Sequence, residues 1–185
     1  ICLYISIILP LYANDFLFTS INTSHGLSDN QIRYILQLPD GRMVFTTNGN
    51  INLYDGIHFS YLHRTDKNVY PLKQYDGFYR IYQSGDSLLW VKDYHKLMGI
   101  NLYKEEYIRD LESYFQNKNI PEPIENLFAD CAGHIWILTD HKLQELQTGI
   151  HITLSPNDTR QLQDLNTEND SLYLFYNTGE VDCYD

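Results

Sequence analysis

Ten polar and aromatic residues stand beside short apolar runs, where loops would meet strands. Their amides, guanidiniums, phenols, imidazoles and one amine can donate or accept hydrogen bonds around the edge of a polyhydroxylated ligand. Their aromatic rings also offer flat apolar surfaces for stacking. The alternative is that they are solvated loop residues. The candidates for ligand binding are Asn30, Arg33, Asn48, Asn50, Tyr79, Arg80, Tyr94, His95, His141 and Lys142.

Metal and cofactor chemistry has less support. The nearest histidine pairs are His58 with His63 and His134 with His141, and neither has a further His or Cys at the spacing of a metal site. No CxxC, HExxH, GxxxxGK or GxGxxG motif occurs in the sequence. We therefore predict no metal, no cofactor and no catalytic residue in this chain.

A carbohydrate-active enzyme, a glycosidase or lyase, is the main enzymatic alternative. Glycoside hydrolysis needs two carboxylates across a pocket, and Asp29, Asp55, Asp93 and Asp140 fall near predicted strand ends. Asp55 belongs to a Tyr-Asp-Gly turn, where an aspartate side chain commonly bonds its own backbone. Turn formation explains most of these positions, but the enzyme stays open as an alternative, as does a secreted interaction scaffold.

The elements that must position these residues repeat along the chain. Each copy runs from an apolar strand through a turn rich in Asp, Ser or Gly into a second apolar strand. The copies are residues 35–47, 81–91, 127–139 and 165–175. The bulky central residues, expected to fill the core between neighbouring sheets, are Val44, Trp90, Trp136 and Tyr173. Their separations of about 46, 46 and 37 residues are typical of propeller blades.

The predicted fold is an all-β propeller, about four blades of a larger, truncated ring. Strands such as residues 135–138 are apolar throughout, which indicates burial on both faces. Residues 58–62 and 150–154 alternate and are predicted outer strands, and residues 104–119 form either an outer strand, which the period favours, or a short helix. In a propeller, the loops before the first strand and between the second and third share one rim. The ten candidates fall on that rim or its lining.

Charge and the first residues bear on location. The chain has 13 Lys+Arg against 24 Asp+Glu, a net charge of -11, which argues against nucleic acid contact by this region. Residues 1–13 are uncharged and largely apolar, which predicts the remnant of a signal peptide, with a buried first strand as the alternative. Residues 14–185 would then be the secreted domain. Whether Cys131 and Cys183 pair is left open.

Several short stretches resemble a known family, the two-component regulator propeller repeat. They are GLSDNQI at 26–32, DGRMVF at 40–45, YDG at 54–56 and GHIWI at 133–137. The resemblance extends over residues 18–184 and is stronger in the first and third copies than in the second and fourth.

The resemblance implies the N-terminal periplasmic sensor domain of a hybrid two-component histidine kinase that controls glycan-use genes. It further implies an oligosaccharide ligand, a homodimer formed through the complete ectodomain, and a membrane span and kinase core that lie outside this chain. On this hypothesis the chain itself is not an enzyme.

Overall fold

The computed structural model describes residues 19–47, 50–85, 87–120 and 123–185. The predicted signal remnant, residues 1–13, and the candidate Asn48 lie outside these ranges, so both stay predictions. Four antiparallel sheets follow one another along the described chain. None of the helices in these ranges is long and apolar enough to cross a membrane.

The first sheet is built from consecutive strands. It contains β1 (Tyr34–Gln37), β2 (Met43–Thr46), β3 (Asn50–Tyr54) and β4 (Phe59–His63). A 3-10 turn at Thr23–His25 precedes it and another at Asp66–Asn68 follows it. Each strand pairs only with its neighbours in sequence, in the order β1-β2-β3-β4.

The second sheet departs from this pattern on its outer side. It contains β5 (Tyr70–Pro71), β6 (Arg80–Ser84), β7 (Leu88–Asp93), β8 (Lys96–Asn101) and β9 (Glu106–Tyr107), followed by helix α1 (Leu111–Gln116). The order is β5-β8-β7-β6, and β9 also pairs with β8. The prediction of an outer strand within residues 104–119 is therefore confirmed only for β9, because residues Leu111–Gln116 form helix α1. The outer position is shared with β5, which comes from upstream.

The third and fourth sheets again use consecutive strands. The third contains β10 (Ile124–Ala129), β11 (Ile135–Thr139), β12 (Lys142–Glu145) and β13 (His151–Thr153). The fourth contains β14 (Leu162–Glu168), β15 (Ser171–Tyr176) and β16 (Val181–Tyr184). The outer strands predicted at residues 58–62 and 150–154 correspond to β4 and β13.

Three apolar clusters join each sheet to the next. One cluster includes Val44 of the first sheet and Leu89 of the second, another includes Trp90 of the second and Ile137 of the third, and the last joins the third and fourth sheets. Each sheet is thus packed face to face with its neighbours, which is the arrangement of propeller blades. The prediction of an all-β propeller is confirmed, and the sheets are called blades one to four below.

The predicted core residues are confirmed in three blades and wrong in the fourth. Val44 and Trp90 are fully buried and Trp136 nearly so. Tyr173 instead is only partly buried, because alternate residues of a strand face opposite sides of the sheet. Its neighbour Leu174 is fully buried and fills the corresponding space.

The interface between blades two and three buries one lysine. The Lys92 side chain is 1% exposed, and its Nζ donates to Asn126 Oδ1 at 2.9 Å and to the Leu127 carbonyl oxygen at 2.6 Å. The same nitrogen lies over the aromatic rings of Tyr75 and Phe128. Burial lowers the pKa of Lys92 to about 7, because removing an ammonium from water disfavours its charged form.

Candidate ligand-binding cleft

A cavity of about 230 Å³ opens between blades one and two. It lies on the rim where the chain enters the innermost strands β1 and β6. Its apolar lining comes from Ile51, Val91 and Met98, which also belong to the core cluster between these blades. We call it the inter-blade cleft. Its chemically useful side chains are Arg33, Asn50, Arg64, Tyr79, Asp93 and Tyr107.

Strand pairing positions the wall formed by blade one. The Arg33 backbone N–H donates to the Thr46 carbonyl oxygen at 2.8 Å, so the ladder of β1 and β2 extends one residue toward the rim. Asn50 begins β3, and its Oδ1 lies 2.9 Å from Nδ1 of His63 at the end of β4. Arg64 follows β4 directly. Two guanidiniums and an amide are thereby held at the end of a rigid sheet.

Two phenols contribute the opposing side. Burial raises the pKa of Tyr79 to about 12, while the nearby positive charges of Arg33 and Arg64 act in the opposite direction with less effect. Burial also raises the pKa of Tyr107 well above its ordinary value. Both hydroxyl groups are therefore protonated at neutral pH and can donate a hydrogen bond.

A carboxylate oxygen in the cleft lacks a donor within the described chain. Asp93, the last residue of β7, lines the cleft, and its Oδ1 is buried without a hydrogen-bond partner among the residues that the structure describes. A buried polar atom that makes no hydrogen bond costs about 1–3 kcal/mol. A hydroxyl group of a bound molecule would satisfy this oxygen.

Two exposed aromatic rings flank cleft residues in the sequence. Phe78 is 82% exposed and Tyr94 is 52% exposed, and their ring centroids lie 6.4 Å apart in an edge-to-face arrangement. Phe78 directly precedes Tyr79 and Tyr94 directly follows Asp93, so each ring is adjacent in sequence to a cleft residue. We call them the aromatic pair.

Tyr94 also has an uncommon backbone conformation. Its φ is 53°, and His141, in the corresponding turn of blade three, has a φ of 55°. Residues other than glycine seldom adopt positive φ, and bulky residues there are under strain. A large aromatic side chain is therefore held in a turn where glycine would be less strained, which marks this turn as a candidate functional element.

The structure brings together three of the predicted candidates and separates the others. Arg33, Asn50 and Tyr79 line the inter-blade cleft, and Tyr94 belongs to the aromatic pair. His95 lines an adjoining cavity. Sequence reasoning missed Arg64, Asp93 and Tyr107 as cleft residues, and it missed Phe78. The available signal for Phe78 was its position beside Tyr79 in a loop that leads into an innermost strand.

The remaining candidates lie elsewhere on the rim or serve local structure. Arg80 is 3.7 Å from Asp164 in an ion pair between the innermost strands of blades two and four. Asn30 accepts a hydrogen bond from the Thr23 N–H through Oδ1 at 2.9 Å, which closes a loop. His141 lines a separate cavity of about 90 Å³ between blades three and four. Lys142, next to His141, begins β12.

Asp55, predicted to bond its own turn, does so, and Asp29 bonds its local backbone in the same way. Asp55 Oδ1 accepts the backbone N–H groups of Ile57 and His58, and Asp29 Oδ1 accepts that of Gln31. These bonds explain both residues without catalysis. The two cysteines of the described ranges, Cys131 and Cys183, are exposed free thiols.

The loop that carries the aromatic ring of Phe78 is fixed to other blades. Gln74 Nε2 donates to Glu125 Oε2 of blade three at 2.7 Å, and Gln161 Nε2, preceding β14, donates to the Gln74 carbonyl oxygen at 3.1 Å. Residues 72–79 therefore connect the inter-blade cleft to blades three and four.

Comparison with known proteins supports the fold. The chain matches no protein-family model. No curated protein is similar to it in sequence. Among solved structures, the extracellular domain of a candidate hybrid two component system, BT3049 from B. thetaiotaomicron, is similar with a TM-score of 0.52 and 15% identity, over 90% of this chain and 25% of that one.

Two other solved structures are more distant. A streptogramin B lyase has a TM-score of 0.46 and 14% identity, over 86% of this chain and 56% of the lyase. The extracellular domain of a candidate one component system, BT4673 from B. thetaiotaomicron, has a TM-score of 0.40 and 14% identity, over 86% of this chain and 30% of that one. The chain shares its propeller fold with the ectodomain of BT3049 and spans a quarter of its length.

Proposed function

We propose that this chain is the ligand-binding part of an extracytoplasmic sensor in a hybrid two-component system, and that its ligand is an oligosaccharide. The observation that carries the proposal is the inter-blade cleft, whose lining residues Tyr79 and Asp93 adjoin the exposed aromatic pair in sequence. Sugars need hydrogen-bonding groups around their edges and a flat apolar surface against their C–H faces. The cleft offers the first and the pair offers the second.

The shared fold and the repeat motifs support the sensor assignment. The described blades have the fold of an extracellular domain named for a two-component system, and the stretches at residues 26–32 and 133–137 resemble the repeat of such sensors. In the whole protein, a periplasmic location, a homodimer of ectodomains, a downstream membrane span and a histidine kinase that controls glycan-use genes follow as parts of the same proposal.

The geometry favours a binder over the carbohydrate-active enzyme. A glycosidase places two carboxyl groups across the scissile bond, whereas Asp93 is the one carboxylate lining the described part of the cleft. Asp140 belongs to the turn of blade three, beside His141. No observation on the described residues favours a secreted interaction scaffold.

A thermal-shift panel of oligosaccharides on the complete protein tests this function, because a ligand that binds the folded state raises its apparent stability. We expect at least one oligosaccharide to raise the Tm and to be recovered uncleaved. Phe78→Ala should weaken its affinity about tenfold, as truncation of an aromatic anchor commonly does. Tyr103→Ala, which removes another exposed ring at 89% exposure, is the matched control and should leave affinity unchanged.

Three outcomes contradict the proposal. The first is a complete panel that leaves the Tm unmoved. The second is ligand recovered as cleaved product, which would support the enzyme. The third is an affinity that Phe78→Ala and Tyr103→Ala change equally, which would place binding away from the aromatic pair.

A further inference from the structure

A second cavity adjoins the inter-blade cleft on the same rim. Its volume is about 330 Å³. Arg64 lines both cavities, so the two spaces meet at its side chain. Together they fall within the size range of pockets that hold drug-sized ligands, roughly 300–1,000 Å³. The other charged or titratable residues of the second cavity are Asp66, His95 and Lys96.

Basic side chains outnumber carboxylates in the lining of the two cavities. Arg33, Arg64 and Lys96 line them, against the carboxylates of Asp66 and Asp93. The chain as a whole has a net charge of -11, so the charge balance of this lining is opposite to that of the whole chain. Fixed positive groups in a cleft attract anionic ligands and raise their local concentration.

Arg64 differs from arginines that serve structure. Arg42 and Arg160 each have two or more carboxylates within 4.0 Å, and Arg80 and Arg109 have one each. Among the residues that the structure describes, no carboxylate lies within that distance of Arg64. Its guanidinium, which can bind a carboxylate or sulfate through paired N–H donors, is thus not engaged by an acidic side chain of the described chain.

The cleft therefore requires two chemical features of one ligand. Asp93 Oδ1, buried and without a partner among the described residues, needs a hydroxyl donor. Arg64, with Arg33 on the same wall, favours an anionic acceptor. A neutral sugar supplies only the hydroxyl, and a simple anion supplies only the acceptor. A sugar acid supplies both.

We propose that the ligand is an acidic oligosaccharide, whose carboxylate or sulfate ester is bound at Arg64 and Arg33 while a ring hydroxyl donates to Asp93. This inference rests on the proposed oligosaccharide-binding function and specifies its ligand class. The second cavity extends the binding site beyond Arg64. Lys96, which lines this cavity, would then contact a further acidic unit of the ligand.

Isothermal titration calorimetry on the complete protein tests the inference with three probes of equal length. They are a tetragalacturonate, its carboxyl-reduced neutral counterpart and a sulfated tetrasaccharide. We expect one of the acidic probes to bind at least about tenfold more tightly than the neutral one, since hydrogen bonds between a guanidinium and an anionic group are stronger than those to a neutral acceptor. Which acidic probe binds distinguishes a carboxylate from a sulfate ester. The affinity should fall as NaCl is raised, because salt screens exposed charges.

Substitutions test whether the preference for an acidic probe arises in the cleft. Arg64→Gln should abolish the preference for the acidic probe, and Arg33→Gln should reduce it. Arg109→Gln, which removes a guanidinium that is 87% exposed at another site, should retain it. Because Arg64 is exposed, the Tm of Arg64→Gln without ligand should equal that of the wild type.

The outcomes separate this inference from the function on which it rests. Tight binding of the neutral probe, with no gain from an acid group, would overturn the acidic ligand and leave the oligosaccharide sensor standing. A preference that survives in both Arg64→Gln and Arg33→Gln would also overturn it. If none of the three probes binds and no oligosaccharide of the thermal-shift panel raises the Tm, both proposals fail.

Discussion

Lys92 Nζ lies 4.0 Å from the centroid of the Tyr75 ring, inside the interface between blades two and three. The ammonium is held by two oxygen acceptors and by aromatic faces, without a carboxylate hydrogen-bonded to it in the described chain. The charges of Arg80 and Asp164 act on it with opposite signs and less effect than burial. Cation–π contact and the two hydrogen bonds compensate only part of the lost hydration.

We predict that Lys92 makes stability rise with pH above neutrality. Its pKa is about 7 in the folded chain and 10.5 in the unfolded one. Between these values the unfolded state binds a proton that the folded state does not, so the free energy of unfolding increases with pH by up to about 1.4 kcal/mol per unit. Below pH 7 both states are protonated and the full cost of the buried charge is present.

Urea denaturation of Lys92→Met between pH 6 and pH 10 checks this. The variant should lack the upward slope that the wild type shows, because methionine fills a similar volume without a titrating group. Lys118→Met, which changes an exposed lysine, should retain the slope. A slope that is equal in all three proteins would show that Lys92 does not titrate in this range.

Trp90 should be among the most costly residues to truncate. It is fully buried and its ring stacks on that of Phe115 with centroids 5.7 Å apart. We expect Trp90→Ala to lower the free energy of unfolding by about 3–5 kcal/mol, because it leaves a cavity that the surrounding strands cannot close. Tyr103→Ala, at an 89% exposed ring, should change it by less than about 0.5 kcal/mol. If chemical denaturation showed the same loss of free energy of unfolding for Trp90→Ala and Tyr103→Ala, the placement of Trp90 in a packed blade interface would be wrong.

Asp130 links blade three to blade four. Its Oδ2 accepts hydrogen bonds from the Thr167 hydroxyl and from His134 Nδ1, both at 2.8 Å. Burial acts to raise the pKa of Asp130, but the bonds from Thr167 and His134 outweigh it and lower the pKa below 3.8. The carboxylate therefore contributes stability that is present above about pH 4 and is lost as the pH falls through the folded value.

Asp130→Asn should destabilise the protein by about 1–3 kcal/mol at pH 7. The difference from the wild type should narrow as the pH is lowered below 4, because the wild-type carboxylate then becomes protonated. Asp170→Asn, at an exposed turn, is the control and should show little change at either pH. Measurement is by thermal unfolding, and a difference that stays constant down to pH 2 would rule out the carboxylate as its source.

Tyr94→Gly should separate function from stability. Glycine adopts the φ of 53° found at Tyr94 without steric cost, so we expect the free energy of unfolding to stay equal or to rise by about 1 kcal/mol. Oligosaccharide affinity should fall about tenfold with the loss of the ring. His141→Gly relieves the same conformation in blade three and should leave affinity unchanged. If both variants lost affinity, the cause would be the change in backbone conformation and not the loss of the Tyr94 ring.

Periodicity predicted the fold because blades repeat the same local physics. The continuous apolar strand at residues 135–138 indicates burial on both faces, and β11 is buried along its whole length. The fourth copy was misjudged because Tyr173 is the bulkier residue while its neighbour Leu174 faces the core. A bulky residue in sequence does not specify which face of a strand it occupies, since a shift of one residue reverses the faces.

The cleft was only partly predictable. Arg33, Asn50 and Tyr79 were found because they adjoin strands that end at the rim. Arg64 and Tyr107 were not, since one follows the outer strand of blade one and the other belongs to β9, and only the packing of two blades brings them together. Contacts between elements that are distant in sequence leave no local pattern for sequence reasoning to detect.

The pairing of β5 with β8 has a consequence for dissecting the protein. Tyr70 lies opposite Leu97 on the outer edge of blade two, although it precedes the innermost strand of that blade in sequence. A truncation that begins at Arg80 would include β6, β7 and β8 but would remove the strand that covers this edge. Half of the edge of β8 would then present unpaired backbone groups, a template for self-association. Expression boundaries for this region should therefore fall before Tyr70, near Thr65, so that blade two retains the strand that covers its edge.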